Sequence, residues 1–165
     1  MEGQPFFTTV AGLAISLAGF GSVIAWLRDD PTRWDPINLW RVKTIVRHAL
    51  TIAFLGLSLI PVFTITASER ATLRFGSAAI VAFSIYDLWR HRERDPVVWD
   101  PPASWQVFML TTAVFGLLQL LNLWWVSLGV LQVGALVLLT SPAGIFYNFV
   151  KEMGRPEGGV GDQTG

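Results

Sequence analysis

The chain has 165 residues, with 12 basic and 12 acidic side chains and no cysteine. Its apolar share of 52% and mean hydropathy of +0.49 are too high for a soluble domain of this length. Zero net charge offers no field to recruit nucleic acid, and the lack of cysteine excludes disulfides, thiolate metal sites, iron–sulfur clusters and thiol chemistry.

The first apolar run, about 6–27, is long enough to cross a bilayer. Only Glu2 precedes it, and basic residues follow at Arg28 and Arg33, the opposite of a secretory signal. This predicts an uncleaved first span with its N-terminus outside. The run is rich in small residues. Gly12, Ser16 and Gly19 recur at helical spacing, as do Ala14, Ala18, Gly21 and Ala25, with Ser22 beside them. Small residues let helix backbones approach closely in lipid, so Gly12, Ser16, Gly19, Gly21 and Ser22 are the packing candidates, and the span is expected to be the central packing helix.

Next comes Asp30-Pro31-Thr32-Arg33-Trp34-Asp35-Pro36, with Trp40 beyond it. It returns 65 residues later as Asp95-Pro96-Val97-Val98-Trp99-Asp100-Pro101, with Trp105 in the place of Trp40. Asp before Pro marks a helix start: the carboxylate accepts from orphan first-turn amides, and proline fits the first helical position. Trp suits the membrane–water interface. The two stretches read as equivalent cytoplasmic turns, each opening a helix at Pro36 or Pro101, in a parallel two-helix repeat of spans one–two and three–four.

Arg41, Lys43 and Arg47 follow the first turn and are candidates for lipid headgroups, with 36–47 either interfacial or continuous with span two. Span two is about 44–65, and Pro61 predicts a bend or end between Leu57 and Phe63. Ser68-Glu69-Arg70 is the next turn, and span three is about 71–89. Asp87, near its inner end, is expected to reach headgroups or pair with Arg90 or His91. From Trp105 to Val150 there is no charged residue. One helix of that length would reach roughly 69 Å, over twice the hydrocarbon thickness of about 30 Å, so two spans are required. The break is placed at Asn122-Leu123-Trp124-Trp125, giving spans of about 105–121 and 126–150, the last interrupted by Ser141-Pro142-Ala143-Gly144. The Gly-rich, polar stretch 153–165 reads as a disordered tail beyond a single bundle domain, 1–152.

The fold class is therefore all-α, a five-span helical membrane bundle. Basic residues gather in 28–47, 90–94 and 151–155, which places those segments inside, the N-terminus outside and the C-terminus inside, in a membrane such as the bacterial cytoplasmic membrane.

The chemistry is sparse. No phosphate loop, HExxH, GxSxG or paired intramembrane carboxylate appears, so no catalytic, cofactor-binding or metal-binding residue is assigned. His48 and His91 fall at one membrane face and read as interface residues rather than a haem or metal pair. Gln119 and Gln132 are placed to hydrogen-bond across neighbouring helices. The expected function is a non-enzymatic subunit or scaffold that associates in the bilayer. Its partners are lipid and either further copies of itself or another membrane protein. A homo-oligomeric channel or carrier is the alternative, and a lipid-processing enzyme using Arg47, His48, Asp87 and His91 is a third possibility.

Overall fold

The computed structural model of the chain describes residues 1–26, 36–92 and 102–153. Within them lie five helices and no strand: α1 (Gln4–Trp26), α2 (Pro36–Thr66), α3 (Glu69–Arg92), α4 (Pro102–Trp125) and α5 (Leu128–Met153). Four are long and apolar enough to cross a membrane, over Gln4–Val23, Leu39–Thr66, Glu69–Arg90 and Leu128–Lys151; α4 offers a shorter apolar stretch, Met109–Trp125. Each helix also turns large apolar side chains outward, among them Phe20, Phe54, Ile85, Leu110 and Tyr147. Exposed apolar surface on all sides of a bundle belongs against lipid. This is a membrane protein.

Pro36 begins α2, as its fitness for a first helical turn predicts. The helix then runs unbroken for 31 residues, about 46 Å, so 36–47 continues span two. It also passes through Pro61 to Thr66, so the expected end near Leu57–Phe63 does not occur, and α5 likewise continues through Pro142. The other residues of the two Asp-Pro turns, Asp30, Pro31, Trp34, Asp35, Asp95, Pro96, Trp99, Asp100 and Pro101, lie outside the described residues, as does 154–165.

Two-residue connections join α2 to α3 and α4 to α5. Ala67 and Val126 take left-handed φ values of 48° and 53°, and the serine after each leads into the next helix. Ser68 caps α3, its Oγ accepting from the Ala71 amide at 3.3 Å. The second connection lies at 126–127, later than the expected break, because α4 extends through Trp125. Asn122 sits one turn before this break and organises it. Its Oδ1 accepts from the Ser127 amide (2.8 Å), while its Nδ2 donates to the Ser127 carbonyl (3.1 Å) and to Ser77 Oγ on α3 (2.9 Å). Arg74 Nε donates to the Leu123 carbonyl at 3.0 Å, holding the end of α4 to α3.

Antiparallel neighbours pack in two pairs, α1 with α2 and α3 with α4, and α5 touches all four. The middle of the bundle is shared by α2, which packs on α1, α3 and α5, and by α5, while α1 packs chiefly on α2. The core is built from Phe7, Val10, Ala11, Ala14 and Ala18 of α1, Ala49, Ile52, Ala53 and Leu59 of α2, Leu73 and Ile80 of α3, and Leu131 and Ala135 of α5. Gly56 sets the closest approach: a Cβ there would lie 2.9 Å from the Phe7 carbonyl oxygen. Gly56→Ala is therefore expected to push α1 and α2 apart and to cost about 1–3 kcal/mol, read as a lower unfolding midpoint in detergent. Gly12→Ala, where a Cβ meets nothing within 4 Å, should leave the midpoint unlowered or slightly raised.

Candidate functional site

The buried face of α3 runs Leu73, Ser77, Ile80, Ser84, Asp87 at helical spacing. Asp87 therefore points into the bundle, only 2% exposed, rather than outward to headgroups. On α2 the same logic places Ile45, His48, Ala49 and Ile52 inward, with His48 1% exposed. The two faces meet about three turns into α2. His48 Nε2 lies 3.2 Å from Asp87 Oδ1, and Arg47 NH2 lies 3.5 Å from the same oxygen. The Arg47 side chain is 29% exposed and passes over the Tyr86 ring, 6.0 Å from its centroid. Of the three headgroup candidates Arg47 is thus engaged within the protein, while Lys43 is exposed and Arg41 partly so.

The imidazole is fixed from three sides. Phe83 meets it edge-on with ring centroids 5.3 Å apart. Its Nδ1 lies 2.9 Å from the Thr44 carbonyl oxygen, which can only accept, so Nδ1 carries a proton. Nε2 then faces Asp87 across a contact that holds together only if one further proton lies between ring and carboxyl. The contact is short but poorly aligned: Nε2 has no well-directed hydrogen bond among the described residues.

His48 and Asp87 form part of the wall of a partly open cleft of about 310 Å³ between α2, α3, α4 and α5. Its apolar lining includes Ile80, Phe83, Phe115 and Leu138, and its hydroxyls include Ser84 and Ser141. Ser141 Oγ is a second buried polar atom with no partner among the described residues. Thr140, beside it, bonds its own helix through the Val137 carbonyl at 2.7 Å. Toward the other end of the bundle, Gln119 Nε2 donates to the Val130 carbonyl on α5 at 2.7 Å. The cross-helix bond of Gln119 therefore goes to backbone rather than to Gln132, and Gly134 permits it, since a Cβ there would overlap the Gln119 carboxamide.

Three of the four residues suggested for surface chemistry, Arg47, His48 and Asp87, come together. The side chain of His91 lies outside the described residues, and no group of three or more His, Asp or Glu able to hold a metal occurs among those that are described. No hydroxyl is hydrogen-bonded to either ring nitrogen of His48 there. The small residues of α1 divide. Gly21 packs inward toward Ile45, alongside Ala11, Ala14 and Ala18, whereas Gly12, Ser16, Gly19 and Ser22 lie on the exposed side. Sequence reasoning missed the cleft, the pairing of His48 with Asp87 and the unpartnered Ser141. The inward setting of Asp87 had a signal, its place on the Ser77–Ser84 stripe of α3.

No protein-family model matches this chain, and comparison with curated proteins and with solved structures also gives no match.

Proposed function

We propose that this chain is a non-enzymatic membrane protein that acts by association within the bilayer, and that the cleft between α2, α3, α4 and α5 seats an amphiphile. The buried His48–Asp87 contact on the cleft wall carries this reading. Ionisable groups set into a transmembrane bundle are costly, and an apolar pair of similar volume would serve stability as well or better. Their presence on a cavity wall therefore points to a ligand. Native mass spectrometry of the gently extracted protein tests it. The wild type is expected to retain one amphiphile per chain. A His48→Phe/Asp87→Leu variant is expected to keep its fold and lose the ligand. A wild type that carries nothing, in any mild detergent, would refute the reading.

The topology belongs to the same proposal. Lys43, Arg90 and Lys151 are exposed at the face where α1, α3 and α5 end, which supports an inside position for that face, the C-terminus inside and the N-terminus outside, in a membrane of the bacterial cytoplasmic kind. The pairing of α1 with α2 and of α3 with α4 supports a parallel repeat with α5 as the added helix, although α2 has 31 residues and α4 only 24. Because the chain lacks cysteine, single introduced thiols report sidedness directly. Ser68→Cys should react with an impermeant maleimide on intact cells and Lys151→Cys only after permeabilisation; the reverse pattern inverts the topology.

A second reading, assembly of several copies as a subunit, scaffold or oligomeric channel, is favoured by the outward side of α1. A Cβ at Gly12 or Gly19 meets nothing within 4 Å, so the helix backbone lies bare to a neighbour. Gly19→Leu fits the single chain without collision. It should therefore shift the protein from oligomer to monomer in crosslinking or native mass spectra without changing its unfolding midpoint; unchanged assembly removes α1 as the contact.

A further inference from the structure

The donors and charges around the cleft restrict what can fill it. The argument rests on the cleft-binding reading above and concerns the chemistry of the ligand. His48 Nδ1 is committed to the Thr44 carbonyl. When Nε2 also carries a proton, it has Asp87 Oδ1 at 3.2 Å but no aligned acceptor, so that proton can be shared with an acceptor on a ligand. Ser141 Oγ, buried and unpartnered on the α5 wall, offers a second donor. An anionic head such as a phosphate would meet the Asp87 carboxyl beside its own donor, and like charges at that range repel. A cationic head would meet a carboxyl already faced by Arg47 and His48. The head that fits is neutral and accepts hydrogen bonds. Most of the remaining wall is apolar, with Ile80, Phe83, Phe115 and Leu138, and suits an apolar body, although Ser84, Thr111, Thr112 and Asn148 also line it. A volume of about 310 Å³ suits a ring or a short esterified head, with the tail left in lipid.

We infer that the cleft is a binding site for an uncharged, carbonyl-bearing amphiphile whose carbonyl oxygen accepts a hydrogen bond from His48 Nε2. Two membrane sources share this chemistry, the ring carbonyl of a quinone and the ester carbonyl of a neutral glycerolipid.

The test uses the full chain in nanodiscs and three probes: decylubiquinone, dioctanoylglycerol, and the dioctyl ether analogue of the latter, which lacks carbonyls. Binding is read by quenching of tryptophan fluorescence for the quinone and by competition for the two glycerolipids. At least one carbonyl probe should bind saturably, and which of the two binds identifies the source. His48→Phe should weaken that probe about tenfold, the upper end of the loss expected for one hydrogen bond. The ether should bind weakly and be indifferent to His48→Phe. Ser141→Ala, a change too small to threaten α5, should weaken the carbonyl probe by a lesser factor, so the proposal stays testable even if His48→Phe does not fold. The inference is overturned, with cleft binding intact, if the ether binds as tightly as the ester or if the variants weaken all probes equally. It is also overturned if phosphatidylglycerol displaces the carbonyl probe and binds more tightly. If no probe binds and the extracted protein carries no amphiphile, both the inference and the cleft-binding reading fail.

Discussion

A chain in hydrocarbon has no water to satisfy its polar groups, so every donor and acceptor must find a partner within the protein. The five helices answer this for the backbone, and the side chains follow the same rule. Thr8, Thr9, Ser16, Ser22, Thr51, Thr64 and Thr66 each return a hydroxyl proton to a carbonyl four residues back in their own helix. Asn122 uses three contacts to close the α4–α5 connection and to join it to α3. Against that background the exceptions carry meaning. Among the described residues the buried atoms left without a hydrogen-bond partner are Arg47 Nε, His48 Nε2, Gln119 Oε1 and Ser141 Oγ. Two of these, on His48 of α2 and Ser141 of α5, belong to residues that line one cleft.

The same constraint explains how the helices are arranged. With lipid on the outside as apolar as the inside, burial of carbon gives little drive to association, and close contact must supply it. Ala11, Ala14 and Ala18 therefore face α2 and α5, and Gly56 accepts the Phe7 carbonyl against its bare Cα. The exposed side of α1 sets Gly12, Ser16 and Gly19 among the larger Leu13, Ile15 and Phe20, and a Cβ at either glycine would meet nothing within 4 Å. One helix can thus hold the bundle together with one face and leave another for a neighbour.

Much of the architecture was legible in the sequence because hydropathy and length suffice to place membrane helices. Pro36 marked a helix start, and the uncharged stretch from Trp105 to Val150 had to be two helices. Positions within the helices were harder to read. In a soluble helix the apolar stripe faces the core, but here lipid-facing residues are apolar too, so periodicity does not separate inside from outside. Asp87 lies near a helix end, where an outward, snorkelling side chain is as consistent with hydropathy as an inward one. Its stripe with Ser77 and Ser84 distinguishes them only once polar spacing, rather than apolar spacing, is taken as the guide to the interior. The break after α4 was misplaced for a related reason. Asn122 was taken to occupy the turn, whereas it acts from one turn earlier, and Val126 adopts the left-handed conformation despite its branched side chain. The setting of α5 against its four neighbours left no mark at all, since it is a property of the assembled bundle.

The buried His48–Asp87 contact also bears on what the cleft could select, on the binding reading proposed above. Here the backbone of Thr44 takes one nitrogen and the carboxyl of Asp87 crowds the other, while Arg47 shares the carboxyl. Such an arrangement holds the imidazole in place. It suits recognition of a neutral acceptor at a fixed depth, because lateral entry from lipid requires a guest that brings no charge of its own. On the binding reading, the unpaired polar atoms among the described residues and the largely apolar lining answer one requirement, selective binding without water.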